Sequence, residues 1–396
     1  MSRQGGGGAC LCVDGGPEHS MWHVLATSPV DFERFRRESA ADRMPRHLLT
    51  VVADELDAEL AAPDPSSVGR LDRVLAVIYG QPHHWALARR TFRRLDDGDG
   101  VFTTGCDAGI PLALLCAVRR RNVAFAISFI DPTRPRAKAL GWILALLLER
   151  LLILVTLDEQ EETVRRSFGR VASGVATLGY TTDCEFFRPE PAHDATARSR
   201  AVVAGSGTEQ RDYATLAEAI AEMDVDGRVC FVSPNFSAKT RYTMPDPVPA
   251  NLEFRHYEFD ELRTLYQRAD VMVVPLIENR YSAGLTALFE AIASECPVII
   301  TESPNIIERL VADDLVVGVP AGSVDELRQA IKNLVTDRDG SRARAVRARE
   351  HLLAHHSTSA FLDRLDHLLN GLVGNESAGP GRNGSAHTDR PGSGRP

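Results

Sequence analysis

Short apolar runs alternate with amphipathic stretches along most of the chain. The runs DRVLAVIYG (72–80), VAFAISFID (123–131) and LLILVTLD (151–158) predict buried strands. The stretches HHWALARRTFRRL (83–95) and IPLALLCAVRRR (110–121) predict helices between them. Strands and helices that alternate at this rhythm indicate a parallel α/β sheet.

The alternation stops over 180–200, a polar stretch with two prolines, and resumes at AVVAGSG (201–207). The fold class predicted from this pattern is α/β, with two Rossmann-like doubly wound parallel-sheet domains that face a cleft. Gly, Ser and Pro dominate both ends of the chain, which is typical of disorder. The predicted divisions are a disordered leader (1–20), an N-terminal domain (21–185), a linker (186–200), a C-terminal domain (201–357), a closing helix (358–373) and a disordered tail (374–396).

The most apolar stretch of the chain, ALGWILALLLERLLILVTLD (139–158), is interrupted by Glu149 and Arg150. We interpret it as a buried helix that ends near Arg150, followed by a buried strand. In an alternative interpretation, the basic-to-apolar segment 134–142 lies against an anionic membrane surface.

Composition narrows the function classes. The 396 residues suffice for two cores, and a net charge of −9 argues against nucleic acid as the partner. The seven cysteines are scattered, without zinc-site spacing, so we expect free thiols in the cytoplasm. Peripheral contact with the inner face of the membrane is the alternative left open by segment 134–142.

One candidate anion site follows the first strand of the second series. Gly205 and Gly207 allow close backbone approach to an anion, and the next helix would offer free N–H groups at its start. Arg211 stands where a guanidinium could pair with a diphosphate. An ordinary glycine turn with a surface arginine explains the stretch equally well.

A second candidate lies in YSAGLTALFEAIASECPVII (281–300), where a small-residue turn leads into a helix and then a strand. The backbone N–H groups near Gly284, Leu285 and Thr286 could hold a phosphate. Glu290 could accept hydrogen bonds from sugar hydroxyls, although a solvent-facing role is the usual one for a lone acid.

The N-terminal half offers weaker candidates. Asp107, after the strand DGVFTTG, could orient an acceptor hydroxyl or simply cap a helix. The loop with Asp131, Arg134 and Arg136 could meet an acceptor phosphate or be a solvated turn.

Metal chemistry is not expected. His83 and His84 indicate a helix start, because no further ligands stand at helical spacing. Asp97 and Asp99 indicate an acidic turn at the wrong end of the sheet for a ligand site. We therefore predict no metal and no cofactor.

The stretch SAGLTALFEAIASECPVIITES resembles the donor-site signature of retaining glycosyltransferases of the GT-B type, family 4-like. Glu290-Ala291 and Pro297-Val298-Ile299 carry the match. QRDYATLAEAI resembles the phosphate loop of that family, and DELRTLYQRADVMVVPL and DCEFFRPEP resemble two further segments. The resemblance extends from about 180 to 370 and is faint before that.

The resemblance implies transfer of a sugar, with retention, from a nucleotide-diphosphate sugar to a hydroxyl of a glycan, lipid-linked or small-molecule acceptor. Arg211 and Asp107 are the predicted catalytic residues. Ser282 stands where the family has a first glutamate, and the second basic position near Ser206–Gly207 is missing. Two other functions stay open, a nucleotide-sugar epimerase and a non-catalytic binding subunit. The predicted donor-binding residues are Gly205, Gly207, Ser282, Gly284, Leu285, Thr286 and Glu290.

Overall fold

Two six-stranded sheets with helices on both faces form the protein in the computed structural model. Every strand pair within these two sheets is parallel, which confirms the predicted fold class. The predicted leader and tail lie outside the described residues. The structure describes residues 21–128, 135–168, 174–190, 199–232, 241–278 and 283–373.

The N-terminal sheet has the strand order β2-β1-β3-β4-β5-β6. A short 3₁₀ helix, Pro65–Ser67, precedes α3. The elements in chain order are β1 (Trp22–Leu25), α1 (Phe32–Ala40), α2 (Leu48–Glu55), β2 (Glu59–Ala61), α3 (Arg70–Leu75), α4 (Pro82–Phe92), β3 (Gly100–Thr103), α5 (Cys106–Arg119), β4 (Ala124–Ser128), α6 (Pro135–Leu147), β5 (Leu151–Val155), α7 (Asp158–Phe168) and β6 (Gly174–Thr177).

The C-terminal sheet has the order β11-β9-β7-β12-β13-β14, and β8 pairs separately with β10. Its elements are β7 (Ala201–Ser206), β8 (Arg211–Asp212), α8 (Tyr213–Ile220), β9 (Val225–Val232), β10 (Tyr242–Thr243), β11 (Leu252–His256), α9 (Phe259–Arg268), β12 (Val271–Val274), α10 (Leu285–Ala293), β13 (Val298–Thr301), α11 (Ile306–Ala312), β14 (Val317–Val319), α12 (Val324–Thr336), α13 (Arg338–His355) and α14 (Thr358–Val373).

The chain crosses twice between the two sheets. On the first crossing, Cys184, Phe186 and Phe187 are buried in the core of the C-terminal sheet. On the second, α14 returns to the N-terminal sheet and buries Phe361 and Leu365 beside its strands. The crossings contact each other, because the backbone N–H of Thr182 donates to the carbonyl of His356 at 3.1 Å.

The segment 72–80 is a helix and turn, not the predicted buried strand. Leu71, Val74 and Val77 are 57%, 66% and 78% exposed. Asp72 supplies the local reason, since its carboxylate accepts from the N–H of Gly69 and so starts α3. The edge strand of this sheet is instead β2, which is too short to show a period.

Candidate functional site

The C-terminal sheet has a topological switch point at β7. Strand β7 pairs with β9 on one side and with β12 on the other. The chain leaves β7 toward β9 and leaves β12 toward β13, so these two connections diverge. Ligands of doubly wound sheets bind in the crevice that this divergence opens at the carboxyl ends of the strands. The loop 207–211, here called the Arg211 loop, follows β7. The turn at Gly284 follows β12 and leads into α10. The two predicted anion sites therefore lie at one crevice.

Arg211 is 3% exposed, with its guanidinium inside the loop after β7. Its Nε donates to the carbonyl of Ser206 at 2.8 Å, and Nη1 donates to the carbonyl of Glu209 at 2.7 Å. A Cβ on Gly207 would lie 2.6 Å from Nη2, so only glycine fits there without moving the guanidinium. The backbone of Gly207 is also left-handed, with φ +88°.

Gly205 lies within β7, where a Cβ would come 3.2 Å from the Val229 side chain. This glycine therefore serves close packing of the sheet. The loop beyond it is fastened to the segment after β12, since the N–H of Asp212 donates to Pro275 and the N–H of Ile277 donates to Gln210.

The start of α8 is capped by its own side chains. The Asp212 carboxylate accepts from the N–H of Thr215 at 3.3 Å and from the Thr215 and Thr243 hydroxyls. The N–H groups of Ala214 and Thr215 therefore already have side-chain acceptors, and an aspartate meets the positive end of the helix.

The start of α10 differs, because its N-cap is Gly284, which has no side chain to cap the helix. Gly284 has φ +81°, and its missing Cβ would lie 2.8 Å from Val274 Cγ1 and 3.4 Å from Arg211 Nη1. Leu285 is buried in the core, whereas Thr286 is exposed. The predicted contact Ser282 lies outside the described residues.

Glu290 is buried, 9% exposed, and so does not take the solvent-facing position that is usual for a lone acid. The Tyr266 hydroxyl donates to Glu290 Oε2 at 3.0 Å, and Ser206 Oγ lies 2.7 Å from the same hydroxyl. Burial raises the pKa of Glu290 to about 8, against the opposing effects of the Tyr266 hydrogen bond and the Arg211 charge.

The N-terminal sheet has its own switch point between β1 and β3. Helix α5 starts there, with Gly105 as N-cap and Asp107 in the first turn. Asp107 is thus not the helix cap, and its side chain is half-buried. It lies beside the Tyr79 hydroxyl, which bonds Cys106 Sγ at 3.0 Å.

His84 and Asp99 have structural partners. His84 Nδ1 accepts from the N–H of Gln81, so its Nε2–H donates to the Thr27 carbonyl at 2.8 Å. Burial lowers the pKa of His84, in keeping with this neutral ring. Asp99 accepts from two backbone N–H groups, those of Met21 and Asp96. Both placements agree with the predicted helix start and acidic turn.

Arg136 is exposed at the start of α6, and Asp131 and Arg134 lie outside the described residues. Across the described part of the chain, no three His, Cys, Asp or Glu side chains gather as a metal site would require. Within the same residues, every helix is too short or too polar to span a bilayer.

Sequence reasoning missed Tyr180 and Tyr266. Tyr266 stands in the quoted segment DELRTLYQRADVMVVPL, where its helical spacing marks it only as a core residue. Tyr180 is the first residue of the polar stretch 180–200, and its hydroxyl bonds Thr286 Oγ1. The Tyr180 contact spans 106 positions and the Tyr266–Glu290 contact spans 24, so no local sequence pattern indicates either of them.

Residues 192–337 match the family model described as Glycosyl transferases group 1. The match confirms the resemblance to this family that the motifs predict. A comparison with curated protein sequences gives no match.

Solved structures share the architecture at low identity. Sucrose-phosphate synthase from Thermosynechococcus elongatus gives a TM-score of 0.64 at 15% identity, covering 90% of this chain and 100% of that one. Anabaena HepE in complex with UDP-glucose gives 0.61 at 12%, covering 89% and 100%. A UDP-forming α,α-trehalose-phosphate synthase from Burkholderia vietnamiensis gives 0.61 at 11%, covering 90% and 99%. These likenesses show the GT-B fold.

Proposed function

We propose that this chain, a glycosyltransferase with a group 1 domain on a GT-B frame, holds a nucleoside diphosphate sugar between the Arg211 loop and the start of α10. The single observation that carries the proposal is the meeting of Arg211 and Gly284 at the switch point of the C-terminal sheet. HepE, of the same fold, was solved with UDP and with UDP-glucose, which supports UDP-sugars as the first donors to test.

The roles of the donor residues follow from their chemistry. The N–H groups at the start of α10 and the Arg211 charge would stabilise the negative charge of the departing diphosphate. Glu290 would accept a hydrogen bond from a ribose hydroxyl at the inner end of the crevice. Closure of the cleft would exclude water and protect the donor from hydrolysis.

The acceptor would lie at the N-terminal switch point, with Asp107 placed to orient its hydroxyl. Attack from the face that the diphosphate leaves would retain the anomeric configuration, as the family resemblance implies. The acceptor classes in question are glycans, lipid-linked sugars and small molecules.

Incubation with a panel of nucleotide sugars and candidate acceptors separates this function from its alternatives. We expect release of the nucleoside diphosphate and a glycosylated product whose anomeric configuration is read by NMR. A freed sugar epimerised at C2 would instead indicate an epimerase. Binding without turnover would indicate a non-catalytic subunit.

Variants of Arg211 and Glu290 test the donor site. We expect Arg211→Ala and Glu290→Ala each to weaken nucleoside diphosphate binding, Arg211→Ala by about 1.5–3 kcal/mol, the usual value of a charge-assisted hydrogen bond. Calorimetry measures the affinity. Arg328→Ala is the matched control, because Arg328 also donates to two backbone carbonyls, those of Ala219 and Glu218, at the other end of α8. Unchanged affinity in both site variants would remove the assignment.

We infer a cytoplasmic location at the inner face of the membrane. None of the described cysteines forms a disulfide, and all of them are buried, which suits a reducing compartment; they are Cys106, Cys116, Cys184, Cys230 and Cys296. Helix α6 supports the membrane contact. It turns four large apolar side chains to solvent, Trp142 (46% exposed), Ile143 (38%), Leu146 (55%) and Leu147 (57%). Arg136 and Lys138 are exposed in its first turn.

A further inference from the structure

Tyr180 joins the first crossing between the sheets to the start of the donor helix. It follows β6 and lies before the residues of the crossing that enter the C-terminal core. Its hydroxyl and Thr286 Oγ1 are 2.5 Å apart, although 106 residues separate them in sequence. Its ring packs edge-on against Phe289 at a centroid distance of 5.8 Å. One side chain therefore contacts the first and second turns of α10.

The second crossing also contacts Tyr180 and α10, through His356. His356 Nδ1 donates to the Tyr180 carbonyl at 3.0 Å, and the His356 ring packs on Phe289 at 4.6 Å. Burial lowers the pKa of His356 to about 4, which keeps the ring neutral at pH 7. Both crossings thus hold Tyr180 in a fixed position against α10.

A partly buried tyrosine ordinarily finds a hydrogen-bond partner, and structural packing would explain the Phe289 contact alone. The hydrogen-bond partner of the Tyr180 hydroxyl, Thr286, argues for a functional role beyond packing. Thr286 is exposed in the first turn of a helix that has no side-chain cap. The N-cap of that helix, Gly284, lies against the Arg211 guanidinium. A threonine hydroxyl that accepts from Tyr180 still has its own hydrogen to donate. With Tyr180 as the donor, that hydrogen would be available to a group bound at the helix start.

We propose that Tyr180 is a positioning residue for the donor diphosphate: its hydroxyl holds the Thr286 hydroxyl ready to donate to a phosphate oxygen at the start of α10. The proposal rests on the proposed donor site and adds a residue to it. Because Tyr180 belongs to a crossing, diphosphate binding would also be coupled to the relative position of the two sheets.

The test compares ligands that differ by one phosphate. The nucleoside diphosphate with the largest thermal shift among UDP, GDP, ADP and dTDP is titrated by calorimetry, together with its monophosphate. We expect Tyr180→Phe to weaken diphosphate binding by roughly 5–10-fold, the usual value of one hydrogen bond. The affinity for the monophosphate should stay unchanged, since the monophosphate lacks the second phosphate, which is the group that Thr286 would contact.

Thr286→Val removes the other hydroxyl of the Tyr180–Thr286 hydrogen bond. We expect it to weaken diphosphate binding as well, and Tyr180→Phe should have no further effect in its background. In turnover assays, the donor KM should rise in both variants. Tyr257→Phe is the matched control, because it removes a buried hydroxyl that Arg255 bonds in the same core. This control should leave both affinities unchanged.

Equal losses for diphosphate and monophosphate, or additive losses in the double variant, would overturn the proposal in favour of a packing role. Unchanged diphosphate affinity in Tyr180→Phe would overturn it outright. A wild-type protein that binds none of the four diphosphates would instead overturn the donor site itself, so the two failures are distinguishable.

Discussion

Two glycines show how single residues shape the proposed donor crevice. Gly284 has left-handed backbone torsions and no room for a side chain, since a Cβ would meet Val274 at 2.8 Å. Gly322 has a similar φ, +71°, with nothing within 4 Å of its missing Cβ. Alanine substitutions at Gly322 and Gly284 can therefore be compared: the first adds backbone strain alone, and the second adds backbone strain and a steric clash in the crevice.

We expect Gly322→Ala to cost about 1–2 kcal/mol of stability, the usual cost of a left-handed alanine. Gly284→Ala should cost more and should also weaken nucleoside diphosphate binding, because its methyl group displaces Val274 or the Arg211 guanidinium. Urea denaturation and calorimetry measure the two effects. Equal stability losses with unchanged affinity would contradict the crowded geometry of the turn.

The buried carboxyl of Glu290 predicts a pH dependence of stability. With a pKa of about 8, raised from 4.5, the folded protein holds a proton that the unfolded chain has lost between these values. Stability falls with rising pH wherever the folded state binds more protons. Wild type should therefore lose stability relative to Glu290→Gln from pH 5 to pH 8, by at most roughly 1.4 kcal/mol per pH unit.

Thermal unfolding across this range measures the difference. Glu308→Gln, which changes an exposed acid on α11, is the control and should track wild type. A constant difference between wild type and Glu290→Gln would show that Glu290 is ionised throughout.

Some residues of the candidate site could be predicted from the local sequence, and others could not. Gly284 and Glu290 stand in one short stretch whose spacing matches a known signature, so sequence alone can nominate them. Tyr180 and Tyr266 lie outside this stretch, and only the packed structure shows that they contact it. The capping of α8 by Asp212 was readable, since an aspartate directly before a helix is a strong N-cap signal.

At the scale of elements, the long apolar runs were predictable because buried parallel strands read as continuous apolar stretches. The run 74–78 breaks this rule, because a short amphipathic helix with an exposed apolar face has the same local composition. The edge strand β2 could not be read from three residues.

Helix α14 gives a testable case of packing between distant elements. Leu365 is 1% exposed in the core that α14 shares with the N-terminal sheet. We expect Leu365→Ala to cost about 2–5 kcal/mol, the usual range for a buried leucine. His367→Ala, on the exposed face of the same helix, should be nearly neutral. Urea denaturation measures the free energy of unfolding of both variants. Equal losses in Leu365→Ala and His367→Ala would show that α14 does not stabilise this sheet.

At the scale of the whole molecule, charge is unevenly distributed along the chain. Residues 70–150 hold thirteen Lys and Arg against seven Asp and Glu, although the chain as a whole has a net charge of −9. The exposed apolar stripe of α6, with Trp142 and Leu146, lies within this basic segment. Apolar burial and attraction to anionic headgroups would act together at such a face.

We therefore expect the protein to sediment with vesicles of phosphatidylcholine and phosphatidylglycerol, and less with phosphatidylcholine alone. Added salt should weaken the binding, because it screens the charges. Trp142 reports on the contact, since Trp85 is 2% exposed and Trp22 is partly buried. Its emission should shift to shorter wavelength on binding, and Trp142→Phe should abolish the shift.

The paired variants Leu146→Gln and Leu147→Gln should reduce sedimentation, while Leu353→Gln, which changes an exposed leucine of α13, should not. Binding that is unchanged in the α6 variants, or a Trp shift that survives Trp142→Phe, would place the membrane contact elsewhere on the molecule. If anionic vesicles leave the protein in the supernatant, the inferred membrane contact is wrong and the acceptor need not be lipid-linked.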